Sequence, residues 1–257
     1  MPYAHSGVPD RDAPSRKLDL LRCVYCGGPA GTRDHVPSRN LYKGFHTLIR
    51  KVVVVPACDA CNKSFTKDEE WFRNVLCTAR YGNSLTATAL MDGPVARSIR
   101  YGPDLGIATW RKMAVNDVYL AGVYLGRKTV LKLDTTDHAR LRRVLTKYTR
   151  GLFWHHHSVA VPQDWSVEHN QITWESRYAA QRVAGAMSQR NVLVDGVFTY
   201  AWNSVPETHQ SVFIYEFFGM PMFYTFVVDP ALVARVRARS GLTQEPGTSI
   251  GVSVSGD

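Results

Sequence analysis

The sequence predicts an α+β fold, and three observations carry that expectation. Helical and strand-like patterns occupy separate blocks instead of alternating. Late in the chain, three β-rich runs (Val192–Trp202, Ser211–Phe218 and Met222–Val228) follow one another across short turn-rich joins, which reads as an antiparallel meander. All five cysteines fall in one early block, Leu18 to Tyr81. The chain has 257 residues, 45% apolar and 21% charged. That composition is globular, and the length suits one or two domains.

The elements can be justified in order. Thr66-Lys67-Asp68-Glu69 has capping-box form, with Thr66 as N-cap. Phe72, Val75, Leu76 and Ala79 follow at helical spacing and Gly82 lies past the end, so a helix is expected over 67–80. From Ser84 to Arg111, short helices interrupted by Pro94 and Pro103 are expected. Val118–Leu125 and Thr129–Leu133 read as a hairpin turning at Gly126-Arg127-Lys128. Thr136 opens an amphipathic helix to Arg150, with Leu141, Val144, Leu145 and Tyr148 as its stripe and Gly151 as its stop. Gln171 to Gln189 is partly helical, mainly from Glu175, and Ala231–Arg239 is a short helix. The aromatics of 198–218 fall largely at alternate positions, as strands lining a core require.

The expected organisation is a flexible tail over 1–17, a first domain over 18–82, an α+β region with antiparallel strands over 83–239, and a flexible tail over 240–257. The greasiest stretch, Val212–Val228, is broken by Glu216, Gly219 and Pro221. It falls short of the roughly 20 apolar residues of a membrane helix, so no membrane role is expected. The opening residues have no apolar signal region, which predicts a cytoplasmic protein with reduced thiols. The net charge of +9 is spread along the chain and by itself selects no partner.

Cys23-x-x-Cys26 and Cys58-x-x-Cys61 are two knuckles with 31 residues between them. Each turn presents two thiolates, and four thiolates complete a closed tetrahedral zinc site with no open position, so the expected zinc is structural. Cys77 reads as a small buried residue on the following helix.

Between the knuckles lies Arg33-Asp34-His35-Val36-Pro37, and the second knuckle is entered through Pro56-Ala57 and followed by Asn62, then by Asp68-Glu69-Glu70. This order resembles the HNH endonuclease family in its zinc-stapled ββα-metal form, over about Cys23 to Arg73. The resemblance implies metal-dependent hydrolysis of nucleic-acid phosphodiester bonds, with DNA the favoured substrate. His35 would be the general base, since a neutral imidazole can take a proton near pH 7. Asp34 and Asn62 would hold a catalytic Mg²⁺ or Mn²⁺, and oxygen ligands suit such a hard cation. The chain departs from the family at Val53, where many members carry Asn; Asn40 lies in the intervening loop.

Arg33, Arg39 and Lys43, around the Asp-His pair, are candidate phosphate contacts. Arg140, Arg143 and Lys147 recur at spacings of three and four on the Thr136 helix and read either as a phosphate-contacting face or as a solvated one. Asp68, Glu69 and Glu70 read as first-turn acids favoured by the helix dipole. His155-His156-His157 reads as part of a strand edge. Two other functions fit the same residues: a non-catalytic zinc-dependent nucleic-acid-binding protein, or the effector subunit of a larger complex whose C-terminal region meets a partner protein or a second copy.

Overall fold

The structure is a computed structural model and describes residues 21–102, 107, 109, 111–120, 122–172, 176–187, 189–220 and 222–240. The expected tails lie outside the described residues, apart from Ser240. The architecture is mixed helix and antiparallel sheet. Strands β1 (Thr32–Val36) and β2 (Val53–Ala57) form a small antiparallel ladder, with Asp34 opposite Val55 and Val36 opposite Val53. Helix α1 (Asp59–Ser64) follows the second knuckle and runs almost directly into α2 (Thr66–Arg80). Phe65 joins them in helical conformation, so Thr66 does not cap; it is simply the first residue of α2.

Helices α3 (Leu85–Leu90) and α4 (Ala96–Tyr101) flank a π-turn at Met91–Val95 that contains Pro94. The hairpin is β3 (Met113–Leu120) with β4 (Val123–Leu131), longer and earlier than the sequence suggests. The chain reverses between Leu120 and Val123, with Gly122 at φ +82°, and Gly126 sits inside β4 where the register slips.

Helix α5 (Thr135–His157) is the organising element. Its N-cap is Asp134, not Thr136: Asp134 and Asp137 make a reciprocal capping box. Its end is not Gly151 but His157, capped by Ser158 at φ +58°. The three histidines are therefore its last turn, not a strand edge. A propensity signal for stopping at Gly151 is overridden by packing, because a Cβ there would meet Val36 Cγ2 at 2.6 Å. Glycine is what lets α5 lie against β1.

After β5 (Ser166–Ile172) and α6 (Arg177–Ala186) come β6 (Gln189–Val194), β7 (Phe198–Ser204), β8 (Ser211–Phe217), β9 (Met222–Val228) and α7 (Pro230–Ser240). The first β-rich run is thus two strands. The sheet order is β5-β9-β8-β7-β6, antiparallel throughout. Cross-strand pairs Phe198–Phe217, Tyr200–Tyr215 and Trp202–Phe213 pave one face. Tyr148 of α5 and Phe72 of α2 meet it there, at ring distances of 6.3 and 5.2 Å. On a separate, smaller apolar cluster, Ile172, Ile214 and Met222 pack with α6 residues Ala180 and Ala184.

One continuous core runs from Cys23 to Val227, so the packing has no break at the expected boundary between 82 and 83. The loop after β1 also binds the edge strand β6: Arg50 N donates to Leu193 O at 2.9 Å, and Asp195 N donates to Leu48 O at 2.8 Å. No helix among the described residues is long and apolar enough to cross a membrane.

Two outcomes follow. Gly→Ala inside a helix ordinarily stabilises by about 0.5–1 kcal/mol. At Gly151 the added methyl overlaps Val36, so Gly151→Ala should instead destabilise by about 1–3 kcal/mol in urea unfolding. Adding Val36→Ala should recover part of that loss; strictly additive losses would mean that the two residues do not meet.

The second concerns His169, whose Nε2 pairs with Thr146 Oγ1 and whose Nδ1 pairs with Thr225 Oγ1, both at 2.8 Å. Burial, helped by Arg142, lowers its pKa to about 3. The unfolded chain protonates such a residue near pH 6.5 and the folded one does not, so its stabilising contribution is complete above about 6.5 and fades as pH falls toward 3. The urea midpoint should drop over that window, and His169→Gln should make the drop shallower.

Candidate metal centre and nucleic-acid site

The knuckles are built by local hydrogen bonds. Gly27 N donates to Cys23 O at 2.8 Å and Cys23 N to Gly28 O at 2.7 Å, and Gly27 adopts φ +75°, a conformation that favours glycine. Cys58 is the N-cap of α1, and its sulfur accepts from Cys61 N at 3.4 Å. That amide hydrogen bond, the largest influence on it, lowers the Cys58 thiol to about 7. The knuckles are tied to each other by Val24 N donating to Pro56 O at 3.1 Å.

The sulfurs of Cys23, Cys26, Cys58 and Cys61 all lie within 4.8 Å of one another. A tetrahedral zinc with Zn–S bonds of about 2.3 Å requires sulfurs about 3.8 Å apart. Cys26 and Cys58 are 3.8 Å apart. The four thiols therefore fit a structural zinc ion. Cys77 is fully buried and stands apart from this cluster, and burial pushes its thiol up to about 12.

His35 is half-buried in β1, opposite Val54. Burial lowers its pKa, and the positive charges of Arg39 and Lys147 act in the same direction against Asp34. The imidazole is therefore neutral at pH 7. Arg33, Arg39 and Lys43 are all exposed. The Asn62 amide donates to Thr32 Oγ1 and to Arg33 O, each at 3.3 Å, which leaves Oδ1 as the acceptor end of that side chain.

Asp34 is placed differently. Strand β1 continues through Val36, so adjacent side chains alternate and Asp34 turns inward while His35 does not. Asp34 is 6% exposed. Its Oδ1 accepts from His35 N at 2.8 Å and from Lys147 Nζ at 3.1 Å. Its Oδ2 accepts from Tyr25 OH at 2.7 Å and from Lys147 Nζ at 2.9 Å. Mg²⁺ binds carboxylates at about 2.0–2.1 Å in near-octahedral geometry and keeps several waters. A carboxylate closed in on both oxygens by a lysine, a tyrosine and an amide does not fit that requirement. The expected pairing of Asp34 with Asn62 around a catalytic Mg²⁺ or Mn²⁺ is not the arrangement found.

The basic row on α5 is also different from either expectation. Lys147 has a fully buried side chain and pairs with both Asp34 and Glu69, so it cannot touch a phosphate. Arg140 and Arg143 grip Asp68, at 2.9 and 2.7 Å, and lie over Trp71 and Phe65. Asp68 and Glu69 lie in the first turn of α2, as expected, and are in addition buried partners that hold α2 to α5. Glu70 pairs with Ser98 and Arg73. Tyr25 is a site residue that the sequence patterns do not single out, and the pairing of Glu69 with Lys147 is not visible in the Asp68-Glu69-Glu70 run. The one available signal is that Tyr25 sits inside a knuckle and is thereby fixed next to β1.

Neither the protein-family models nor the curated proteins nor the solved structures match this chain.

The zinc centre has a direct test. Cys58→Ser should release the metal and loosen the segment around β1, β2 and α1, because the cysteine cluster is what joins the two ends of that segment. Elemental analysis should give one zinc per wild-type chain and none in the variant. A folded, metal-free wild-type protein would contradict the assignment.

Proposed function

We propose that the chain is a zinc-stapled phosphodiester hydrolase of HNH type, acting on nucleic acid, with DNA favoured, in the cytoplasm. The observation that supports this most is His35, a neutral imidazole on a two-stranded ladder that the cysteine cluster joins to α1. In this reading His35 Nδ1 or Nε2 takes the proton of an attacking water. Arg33, Arg39 and Lys43 supply positive charge for the phosphate. Asn62 holds the backbone of β1 through the Arg33 carbonyl and so positions the strand that carries His35. No step is assigned to a divalent cation on Asp34.

A second reading, a zinc-dependent nucleic-acid-binding protein without hydrolysis, is favoured by that same engagement of Asp34. One experiment separates the two. The protein is incubated with plasmid, single-stranded DNA and RNA, with and without Mg²⁺ or Mn²⁺, and binding is measured in parallel. Under the first reading, His35→Ala loses cleavage by about 10²–10⁴-fold while zinc, fold and binding persist. The acid limb of the wild-type rate profile falls below the ordinary histidine range, because the folded pKa is lowered and the base stays neutral further down in pH. Binding without cleavage by the wild type selects the second reading. Neither binding nor cleavage defeats both.

A further inference from the structure

The interior holds a cation site already filled by the protein itself. Lys147 Nζ has three hydrogens to donate. It bonds both Asp34 oxygens, at 3.1 and 2.9 Å, and also Glu69 Oε1. The ring of Phe65 lies 5.3 Å from the same nitrogen. Hydroxyls surround the group: Tyr25 OH donates to Asp34 Oδ2 at 2.7 Å, and Ser38 Oγ pairs with Tyr148 OH nearby. The side chains of Lys147, Asp34 and Glu69 are 0%, 7% and 11% exposed.

Two carboxylates face one ammonium here. Remove the ammonium and what is left is an oxygen-lined pocket with two carboxyl groups, which can ionise together only if another cation takes its place. That is the donor set of a hard divalent cation, and its charge is the one such an ion balances. The lysine is thus in direct competition with a divalent ion for Asp34.

We propose that Lys147 is a built-in cation that closes Asp34 to divalent ions, and that a Mn²⁺- or Mg²⁺-class site on Asp34 and Glu69 is latent beneath it. The role of metal ligand that the family resemblance implies for Asp34 is overruled by a residue 113 positions further on. This concerns ion binding, and it stands whether or not His35 hydrolyses anything.

The probe is Mn²⁺, counted by the loss of its free-ion electron paramagnetic resonance signal, on the full chain carrying its zinc. Wild type and Asp34→Asn should take up the same number of Mn²⁺ ions. Lys147→Ala should gain about one ion per chain, at least tenfold tighter than any wild-type uptake, and the gain should vanish in Lys147→Ala combined with Asp34→Asn. The Lys147→Ala melting temperature should also rise with added Mn²⁺ while that of the wild type stays fixed. A wild-type Mn²⁺ lost on Asp34→Asn would overturn the proposal and restore Asp34 as a metal ligand, as would a folded Lys147→Ala protein that gains no ion. Should Lys147→Ala fail to fold even with Mn²⁺ present, the wild type and the mild variant Tyr25→Phe decide. Equal, Asp34-independent uptake supports the closed site; an extra ion in the wild type overturns it. Loss of nuclease activity or of nucleic-acid binding in the His35 experiment changes none of these counts, so the two ideas fail separately.

Discussion

The buried contact of Lys147 with Asp34 and Glu69 is the constraint around which the other elements are arranged. It joins β1, α2 and α5 at a single nitrogen. Taking charges out of water costs several kcal/mol per ion, and mutual attraction offsets that only when the geometry is good and the remaining hydrogen-bonding positions are filled. Here they are filled: Tyr25 and the His35 amide complete Asp34. Burial still raises the Glu69 carboxyl above its ordinary value, with Lys147 pulling the other way. Such a group tolerates little rearrangement, since withdrawing one partner strands the others and costs about 3–5 kcal/mol. That is why α5 must keep one axial position, and why Gly151, one turn further along, has to let Val36 pass.

The four-cysteine cluster, which fits a zinc ion, bears on a different problem. Residues between the knuckles form two short strands, two single-turn 3-10 helices and loops, too little to bury a core unaided. The four cysteine sulfurs bring the ends of this segment together, while Val36, Val53 and Val55 contribute to the larger core that also holds Tyr148, Phe198 and Phe217. The segment between the knuckles and the five-stranded sheet therefore share one core. The hydrogen bonds from Arg50 and Asp195 across to the partner segments add a second seam, away from the zinc.

What could be read from the sequence was whatever short spacing determines. The cysteine pairs needed only their intervals. The helix of 67–80 and the alternating aromatics of the sheet needed only periodicity. The features that could not be read are set by residues distant in the chain. Lys147 lies beside buried Tyr148 and at helical spacing from Arg140 and Arg143, so by pattern it belongs to a polar face. Its true surroundings come from carboxylates 113 and 78 positions away. Gly151 carries a stop signal that tertiary packing overrides, and the histidine run joins the helix because His156 stacks on Trp202 at 3.8 Å. The Asp-His pair shows the same limit inside the candidate site: its spacing was visible, but not which of the two faces inward.

That alternation has a consequence for how chemistry can be divided across β1. On an unbroken strand, neighbouring side chains serve opposite faces. Asp34 serves the interior, where two carboxylates hold one ammonium; His35 serves the partly open side, within reach of the charge of Arg39. Lys147 influences both. It occupies Asp34 directly, and its charge adds to burial and Arg39 in keeping His35 unprotonated. A divalent ion in the same place would carry twice that charge and depress the imidazole further. A lysine instead leaves a weaker field, and one whose charge does not vary with the metal content of the surroundings. The protonation of this imidazole is therefore governed by the packing that places Lys147 behind β1, and not by an ion taken from solution.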